Sequence, residues 1–190
     1  DGNDSRMTRD AFAGAFSRAA AVRDFHLVNR PEWRGLGQRE EFLAESRNRA
    51  KQVKDEGETE AFVVLGIGGS ALGNSAMVAA LGPVYQEFAP ASGCPRIFIP
   101  DSIDPDWIQA LLDTLPLDRT HFNVISKSGG TIETAAEFLI FFDAVKKALG
   151  SEEKARQCFT ITTDPAEGHF RKLCNELNFP SLTVPPGVGG

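Results

Sequence analysis

The amino-acid sequence predicts an α/β fold, a three-layer α/β/α sandwich around a central, mostly parallel sheet of about five strands, preceded by a helical segment. Two observations support this prediction. From residue 60 onward, short apolar runs alternate with longer amphipathic ones, as strands and helices do around a parallel sheet. The apolar runs are also continuous, which is typical of strands covered on both faces.

Five short runs are predicted to be strands and four longer runs to be helices. The strands are 62–65, 96–100, 122–126, 158–162 and 181–184, and the helices are 70–81, 105–115, 131–149 and 166–177. Short links between them favour right-handed crossover connections. Two helix starts are also predicted, because Asp104 precedes Pro105 and Asp164 precedes Pro165, each pairing a capping carboxylate with a proline in the first turn.

The first 58 residues follow a different pattern and are predicted to be a helical N-terminal segment, with the α/β domain spanning 59–190. Stretches 7–25 and 39–57 space apolar residues at helical intervals between charges. One face of the second helix is predicted to consist of Phe42, Leu43, Ser46, Ala50 and Val53. Trp33, between the two helices, is interpreted as a packing anchor.

Composition and charge limit the class of partner. The 190-residue chain has a net charge of −6, which argues against nucleic acid, because binding to a phosphate backbone needs clustered Lys and Arg. Residues 61–190 contain only 9 Lys and Arg against 14 Asp and Glu. An anion site in this part of the chain would therefore depend on backbone N–H groups and few cations.

Cysteine usage and hydropathy exclude further classes. Cys94, Cys158 and Cys174 are odd in number and have no CxxC spacing, so neither a disulfide framework nor a zinc site is expected. No apolar run approaches the length of about 20 residues that spans a membrane, and the first residues do not have a signal-peptide pattern. We expect a protein of the reducing cytoplasm with no membrane partner.

Two turns rich in glycine and serine are the candidate ligand-binding elements. GIGGS (66–70) follows the first predicted strand, and SKSGGT (126–131) follows the third. Ligands of parallel sheets bind beyond the carboxyl ends of the strands, near helix N-termini. Glycines allow the backbone to approach an anion closely, while the hydroxyls and Lys127 supply further donors. One phosphate group would use both turns.

Other interpretations remain open on these residues alone. Either turn can be a tight corner whose Ser or Thr only caps a helix. GIGGSA also satisfies the dinucleotide pattern G-x-G-x-x-A through Gly66, Gly68 and Ala71. The dinucleotide pattern needs an acid about 20 residues after its first glycine, whereas Asp101 lies farther away. Dinucleotide binding would also leave SKSGGT without a role. No Walker A loop is present, so NAD binding ranks second.

Four motifs together resemble the first half of the bacterial glucose-6-phosphate isomerase (phosphoglucose isomerase) family: LGIGGSALG, VISKSGGTIET, ITTDPAEGHFRKL and VPPGVGG, in this order. The resemblance runs from about residue 60 to the last residue and implies a sugar isomerase (SIS) domain with a flavodoxin-like sheet. It also implies the residues that bind the substrate's phosphate, namely Gly69, Ser70, Ser126, Lys127, Ser128, Gly129, Gly130 and Thr131.

The resemblance further implies a reaction. The family interconverts glucose 6-phosphate and fructose 6-phosphate through a cis-enediol, in glycolysis and gluconeogenesis, as a cytoplasmic homodimer without cofactor or metal. Its catalytic glutamate, histidine and lysine lie in later sequence, partly in a second SIS domain, and this chain is expected to be truncated before that domain. No catalytic residue is therefore assigned, and the chain alone is expected to be inactive. A stand-alone regulatory SIS domain that binds sugar phosphates is the alternative.

Some positions depart from the family pattern or match no part of it. The family usually has two threonines where this chain has Gly130 and Thr131, so one hydroxyl is lost, and Ala71 replaces an acidic or variable residue. Glu133 is interpreted as an acid stabilised by a helix dipole. The three histidines match no catalytic position and are interpreted as packing or surface residues: His26, His121 and His169.

Overall fold

The structure, a computed structural model, describes residues 39–55, 59–185 and 188. The predicted helix at 7–25, Trp33 and His26 lie outside the described residues. Within them, five strands form one sheet: β1 (Ala61–Leu65), β2 (Arg96–Phe98), β3 (Thr120–Ser126), β4 (Phe159–Thr163) and β5 (Ser181–Thr183). Their order is β2-β1-β3-β4-β5, and every neighbouring pair is parallel. The predicted fold class is therefore confirmed.

Six α-helices are described: α1 (Glu40–Asp55), α2 (Gly69–Leu81), α3 (Pro105–Thr114), α4 (Ile132–Leu149), α5 (Glu152–Gln157) and α6 (His169–Leu177). A 3-10 helix spans Leu117–Arg119. The sequence pattern predicts neither α5 nor the 3-10 helix, because six and three residues are too few to establish a period. None of the helices in the described part of the chain has both the length and the apolar character needed to cross a bilayer.

Most predicted element boundaries are accurate to within one or two residues. β2 ends at Phe98, two residues before Pro100, which lacks the N–H group needed to continue a ladder. β4 begins at Phe159 rather than at Cys158, because the N–H of Cys158 bonds the carbonyl of Ala155 and closes α5. The first difference thus arises from a missing N–H group, and the second from a helix end that uses a backbone group at the start of the next strand.

Of the two predicted helix starts, one is confirmed and one is wrong. Asp104 caps α3, where its Oδ1 accepts hydrogen bonds from the N–H groups of Asp106 (3.0 Å) and Trp107 (3.2 Å). Asp164 makes the same type of bond to two amides, but the turn that it closes does not continue as a helix. Instead α6 begins at His169, after Gly168, whose φ of 93° interrupts helical geometry.

The hydrophobic core lies between the sheet and α4. Phe122 of β3 and Phe159 of β4 stack with ring centroids 4.7 Å apart, and Phe138 of α4 meets Phe159 edge to face. Phe122 and Phe159 have no exposed surface. Each such side chain contributes about 1.5–3 kcal/mol through burial, so this cluster fixes α4, and with it the loop before α4, against β3.

The opposite face of the sheet is more polar than the continuous apolar runs predict. His121 Nε2 lies 2.9 Å from Thr160 Oγ1, which also accepts a hydrogen bond from Arg49 Nε of α1 at 2.8 Å. Thr160 Oγ1 therefore joins the imidazole of β3 to the guanidinium of α1. Burial, with a smaller effect of Arg49, lowers the pKa of His121 to about 3. The interpretation of His121 as a packing residue is confirmed.

Coverage of this polar face by α1 is incomplete. Phe42, Leu43 and Val53 of α1 are half-buried, whereas Ser46 and Ala50, predicted on the same face, are exposed. A cavity of about 820 Å³ separates α1 from the strands. The amphipathic pattern of α1 therefore identifies the side that turns toward the sheet but overstates how much of it is buried.

Candidate functional site

The two glycine- and serine-rich turns meet at the carboxyl edge of the sheet. β1 and β3 are neighbours, with Leu65 paired to Val124, and the turns follow these strands. A Cβ added at Gly66 would lie 3.1 Å from the carbonyl oxygen of Ile125, so the first turn passes directly against the end of β3. Only a residue without a side chain permits this approach. Turns sixty residues apart in the sequence thus form one surface.

Internal hydrogen bonds shape the second turn, residues 126–131, here called the SKSGGT loop. Ser126 is buried, its Oγ donates to Thr131 Oγ1 at 3.2 Å, and its carbonyl accepts a bond from Thr163 Oγ1 at 2.7 Å. Ser128 Oγ accepts a bond from the N–H of Gly130 at 3.3 Å. Lys127, Ser128 and Gly130 are exposed, so the loop has a fixed base and an accessible rim.

Both helices that follow the turns begin without a side-chain cap. Gly68 precedes α2 and has no side chain, and the hydroxyl of Thr131 makes no capping bond at the start of α4. At the start of α2 the N–H groups of Ser70 and Ala71 bond the carbonyls of Ile67 and Gly68, whereas the first amides of α4, which lack intrahelical partners, remain available at this edge. The interpretation of Thr131 as a mere cap is not supported by its hydrogen bonds.

A third element, the start of α6, supports the SKSGGT loop from behind. The carbonyl of Gly129 accepts bonds from the N–H groups of His169 (3.1 Å) and Phe170 (3.3 Å). A Cβ added at Gly129 would lie 3.1 Å from the Cα of Gly168, and one at Gly168 would collide with the carbonyl oxygen of Ser128. Sequence reasoning assigned Gly168 no role and placed it inside the predicted helix 166–177, where a glycine in the first turn was the available signal.

One ionisable residue near the loop was also missed. Glu137 lies on α4 between Thr134 and Phe141 on the buried face, is 1% exposed, and neither carboxylate oxygen has a hydrogen-bond partner among the described residues. Burial raises the pKa of Glu137 to about 7, with smaller contributions from the charges of Asp101 and Glu133. Within the described ranges, no three His, Cys, Asp or Glu side chains are grouped as they would be around a metal ion.

The strand order and the paired turns define the class of protein. In an open parallel sheet of order 2-1-3-4-5, the helix after the first strand and the helix after the third leave in opposite directions. The crevice between these strands is the topological switch point, where α/β proteins of the flavodoxin-like kind bind ligands. Both turns lie at that point.

Comparison with known proteins identifies the family. The family model for phosphoglucose isomerase matches residues 36–173, and the chain belongs to this family. It is 39% identical over 168 residues to a glucose-6-phosphate isomerase of Carboxydothermus hydrogenoformans, which covers 87% of this chain and 34% of that protein. It is 36% identical over 165 residues to the enzyme of the same name from Rubrobacter xylanophilus, covering 86% and 38% of the two chains.

Solved structures agree with this assignment. A hypothetical protein from Thermus thermophilus superimposes with a TM-score of 0.74 at 33% identity, over 95% of this chain and 43% of that one. A glucose-6-phosphate isomerase from Chlamydia trachomatis gives a TM-score of 0.59 at 26% identity, over 78% and 27%. The chain spans between about a quarter and two fifths of the length of the curated relatives it matches.

Proposed function

We propose that this chain is the phosphate-binding part of a glucose-6-phosphate isomerase, and that residues 59–190 are its first SIS domain, preceded by a helical segment at 1–58. The intact protein would interconvert glucose 6-phosphate and fructose 6-phosphate through a cis-enediol. One observation carries the proposal: the two predicted turns converge at the switch point of the sheet, beside two uncapped helix N-termini. The names of the relatives support the choice of sugar phosphate.

The hydrogen bonds of the SKSGGT loop indicate a role for each residue. Ser128 Oγ and Thr131 Oγ1 each accept one bond from within the loop, so each retains its own proton to donate to a phosphate oxygen. Ser126 is buried and holds the loop rather than touching the ligand. Lys127 adds a cation, and the amide of Gly69 and the hydroxyl of Ser70 complete the proposed donors, while Gly129 and Gly130, whose N–H groups bond Ser126 O and Ser128 Oγ, shape the loop. Gly130 stands where the family pattern has a threonine, and its N–H already bonds Ser128 Oγ, so we expect one donor fewer at this position.

The chemistry itself would depend on groups outside this chain. Moving a proton between C1 and C2 needs a general base within hydrogen-bond reach of the carbon acid. The proposed loop residues offer donors and a cation but no base. We assign this chain the tasks of binding and orienting the substrate, and we assign ring opening and proton transfer to later sequence, a second SIS domain and a homodimeric partner in the cytoplasmic enzyme. The chain alone should show no isomerase rate above a host-protein blank.

An NMR titration tests the binding assignment. We expect the amides of residues 66–72 and 126–133 to shift together with glucose 6-phosphate and with inorganic phosphate, but not with NAD. Ser128→Ala should weaken binding about tenfold, because hydrogen bonds to charged groups are worth roughly 1.5–3 kcal/mol. The matched control is Ser151→Ala, which removes a hydroxyl that caps α5 and should leave the affinity unchanged.

The same titration separates the competing functions. Shifts confined to 66–72 and seen with NAD would contradict the proposal in favour of dinucleotide binding. Joint shifts with sugar phosphate, combined with an intact parent protein that turns over no sugar phosphate, would favour a regulatory SIS domain.

A further inference from the structure

Glu137 occupies an unusual position beneath the proposed phosphate loop. It lies six residues after Thr131, the last residue of the loop, and therefore about 9 Å along the helix axis from the end of the loop. Its side chain is 1% exposed. Both of its carboxylate oxygens, and Thr134 Oγ1 one turn earlier, are buried without a hydrogen-bond partner among the described residues.

The charges that act on Glu137 are both acidic. Asp101, in the loop after β2, and Glu133, in the first turn of α4, each disfavour its ionised form. β1, which contacts α4, has no ionisable side chain. An unpaired buried carboxylate is costly, so this environment favours the neutral acid. The pKa of Glu137, about 7, agrees with this geometry.

We propose that Glu137 sets the anion affinity of the SKSGGT loop, by binding a proton when a dianion binds there. This inference rests on the proposed function of the loop. A dianion at the N-terminus of α4 and an ionised Glu137 repel each other through the low-dielectric interior. The bound anion therefore favours protonation of Glu137, and protonation of Glu137 strengthens binding by the same factor. The proton comes from solvent and returns to it when the anion leaves.

Sulfate is the probe that tests this coupling, because it stays dianionic between about pH 6 and pH 8, whereas phosphate monoesters titrate near pH 6. We expect the sulfate dissociation constant of the loop, measured by amide shifts at constant ionic strength, to rise about tenfold over this range. In Glu137→Gln the affinity should stay close to the low-pH value of the unmodified chain at every pH. Calorimetry in two buffers of different ionisation enthalpy should show proton uptake near pH 7 that the variant lacks.

Two further variants make the test specific. Glu133→Gln removes an exposed acid from the same helix; it should strengthen binding at every pH and move the pH dependence to somewhat lower pH without abolishing it. Glu137→Met also removes the ionisable group, and it replaces Glu137→Gln if the latter does not fold. His169, which begins α6 beside the loop, is retained in all of these proteins, so the comparison isolates the substituted acid.

Equal pH slopes in the unmodified chain and in the Glu137 variants would overturn the inference and leave the anion site intact. Absence of sulfate binding at every pH would overturn both the inference and the anion site on which it rests.

Discussion

Glu137 and His121 are buried ionisable residues whose pKa values move away from their ordinary ranges, in directions that both favour the neutral form. Burial is the main cause in both cases. Glu137 lies on the α4 side of the sheet near the loops, and His121 lies on the α1 side. The pH dependence of folding should therefore contain two opposing contributions from single residues.

Glu137 is expected to make folding less favourable as pH rises. The folded pKa is about 7 and the ordinary value is 4.5, so between these values the folded state binds more protons than the unfolded state. The stability contributed by the neutral acid is fully present below about pH 4.5 and is lost by about pH 7. The loss is about 3 kcal/mol.

The measurement is urea unfolding of the unmodified chain and of Glu137→Gln at several pH values. Between acidic and neutral pH, the free energy of unfolding of the variant should rise by about 3 kcal/mol relative to that of the unmodified chain. If the difference in free energy of unfolding between the two proteins did not change with pH, Glu137 would have an ordinary pKa in the folded chain.

His121 is expected to have the opposite effect. Its folded pKa, about 3, lies below the ordinary value of 6.5, so the unfolded state binds more protons and stability falls as pH drops below about 6.5. In an NMR titration, the imidazole of His121 should stay neutral down to about pH 4. Protonation near pH 6.5 in the folded chain would contradict this, and would mean that the bond to Thr160 does not hold the neutral ring.

At the scale of elements, the approach of α6 to the SKSGGT loop is the contact that assembles the site. β4 leads into a turn closed by Asp164, and that turn delivers Gly168 against the backbone of Ser128 and Gly129. Backbone-to-backbone packing of this kind leaves no space for a Cβ. The ITTDPAEGHF motif thus packs against the SKSGGT loop and holds it in position.

Gly168→Ala is expected to destabilise the chain by more than about 1 kcal/mol and to weaken sulfate binding, since the new Cβ both strains the backbone and pushes the loop away. The matched control is Gly150→Ala at the end of α4, where φ is also positive (61°) but no atom lies within 4 Å of an added Cβ. Gly150→Ala should cost about 1 kcal/mol through backbone strain alone and leave sulfate binding unchanged. Equal effects of the two substitutions on sulfate affinity would contradict the supporting role of Gly168.

At the scale of the whole molecule, apolar surface is concentrated on α2 and the residues that follow it. Residues 61–86 contain no charged side chain. Only Ala71 of α2 is buried, and six large apolar side chains nearby are exposed: Leu72, Met77, Leu81, Val84, Tyr85 and Phe88. A helix that is apolar on all sides is usually covered in the assembled protein. Because apolar side chains occur on all sides of α2, its sequence has only a weak amphipathic pattern. The helix itself is nevertheless predicted correctly.

The edge of the sheet at β2 is protected by one side chain. The amide of Gln86 donates a hydrogen bond to the carbonyl of Ile97 and accepts one from its N–H at 2.7 Å. Gln86 thereby takes the place of a neighbouring strand and satisfies backbone groups that would otherwise be open to pairing with another chain. No sequence pattern predicts this contact, because it joins residues from different elements.

Local patterns predicted the strands, the four long helices of the α/β domain and the cap at Asp104, because each depends on residues close together in the chain. They also identified both turns as candidates. Local patterns did not predict the true start of α6, the short helix α5, or the polar face around His121 and Thr160. The helix α5 is too short for its period to be recognised, whereas the start of α6 and the polar face are decided by contacts with segments far away in the sequence, which override local preference.

The sequence by itself determined the fold class, the family and the residue types at the two turns, since periodicity, glycine placement and motif order are properties of the chain alone. Only the tertiary structure decided that Gly66 passes against β3, that Gly168 supports the SKSGGT loop, and that Glu137 is buried without a partner among the described residues. The physical reason is that close approach and desolvation are produced by packing between distant elements. The sequence alone does not show whether a given glycine or glutamate is exposed to solvent or buried against another element.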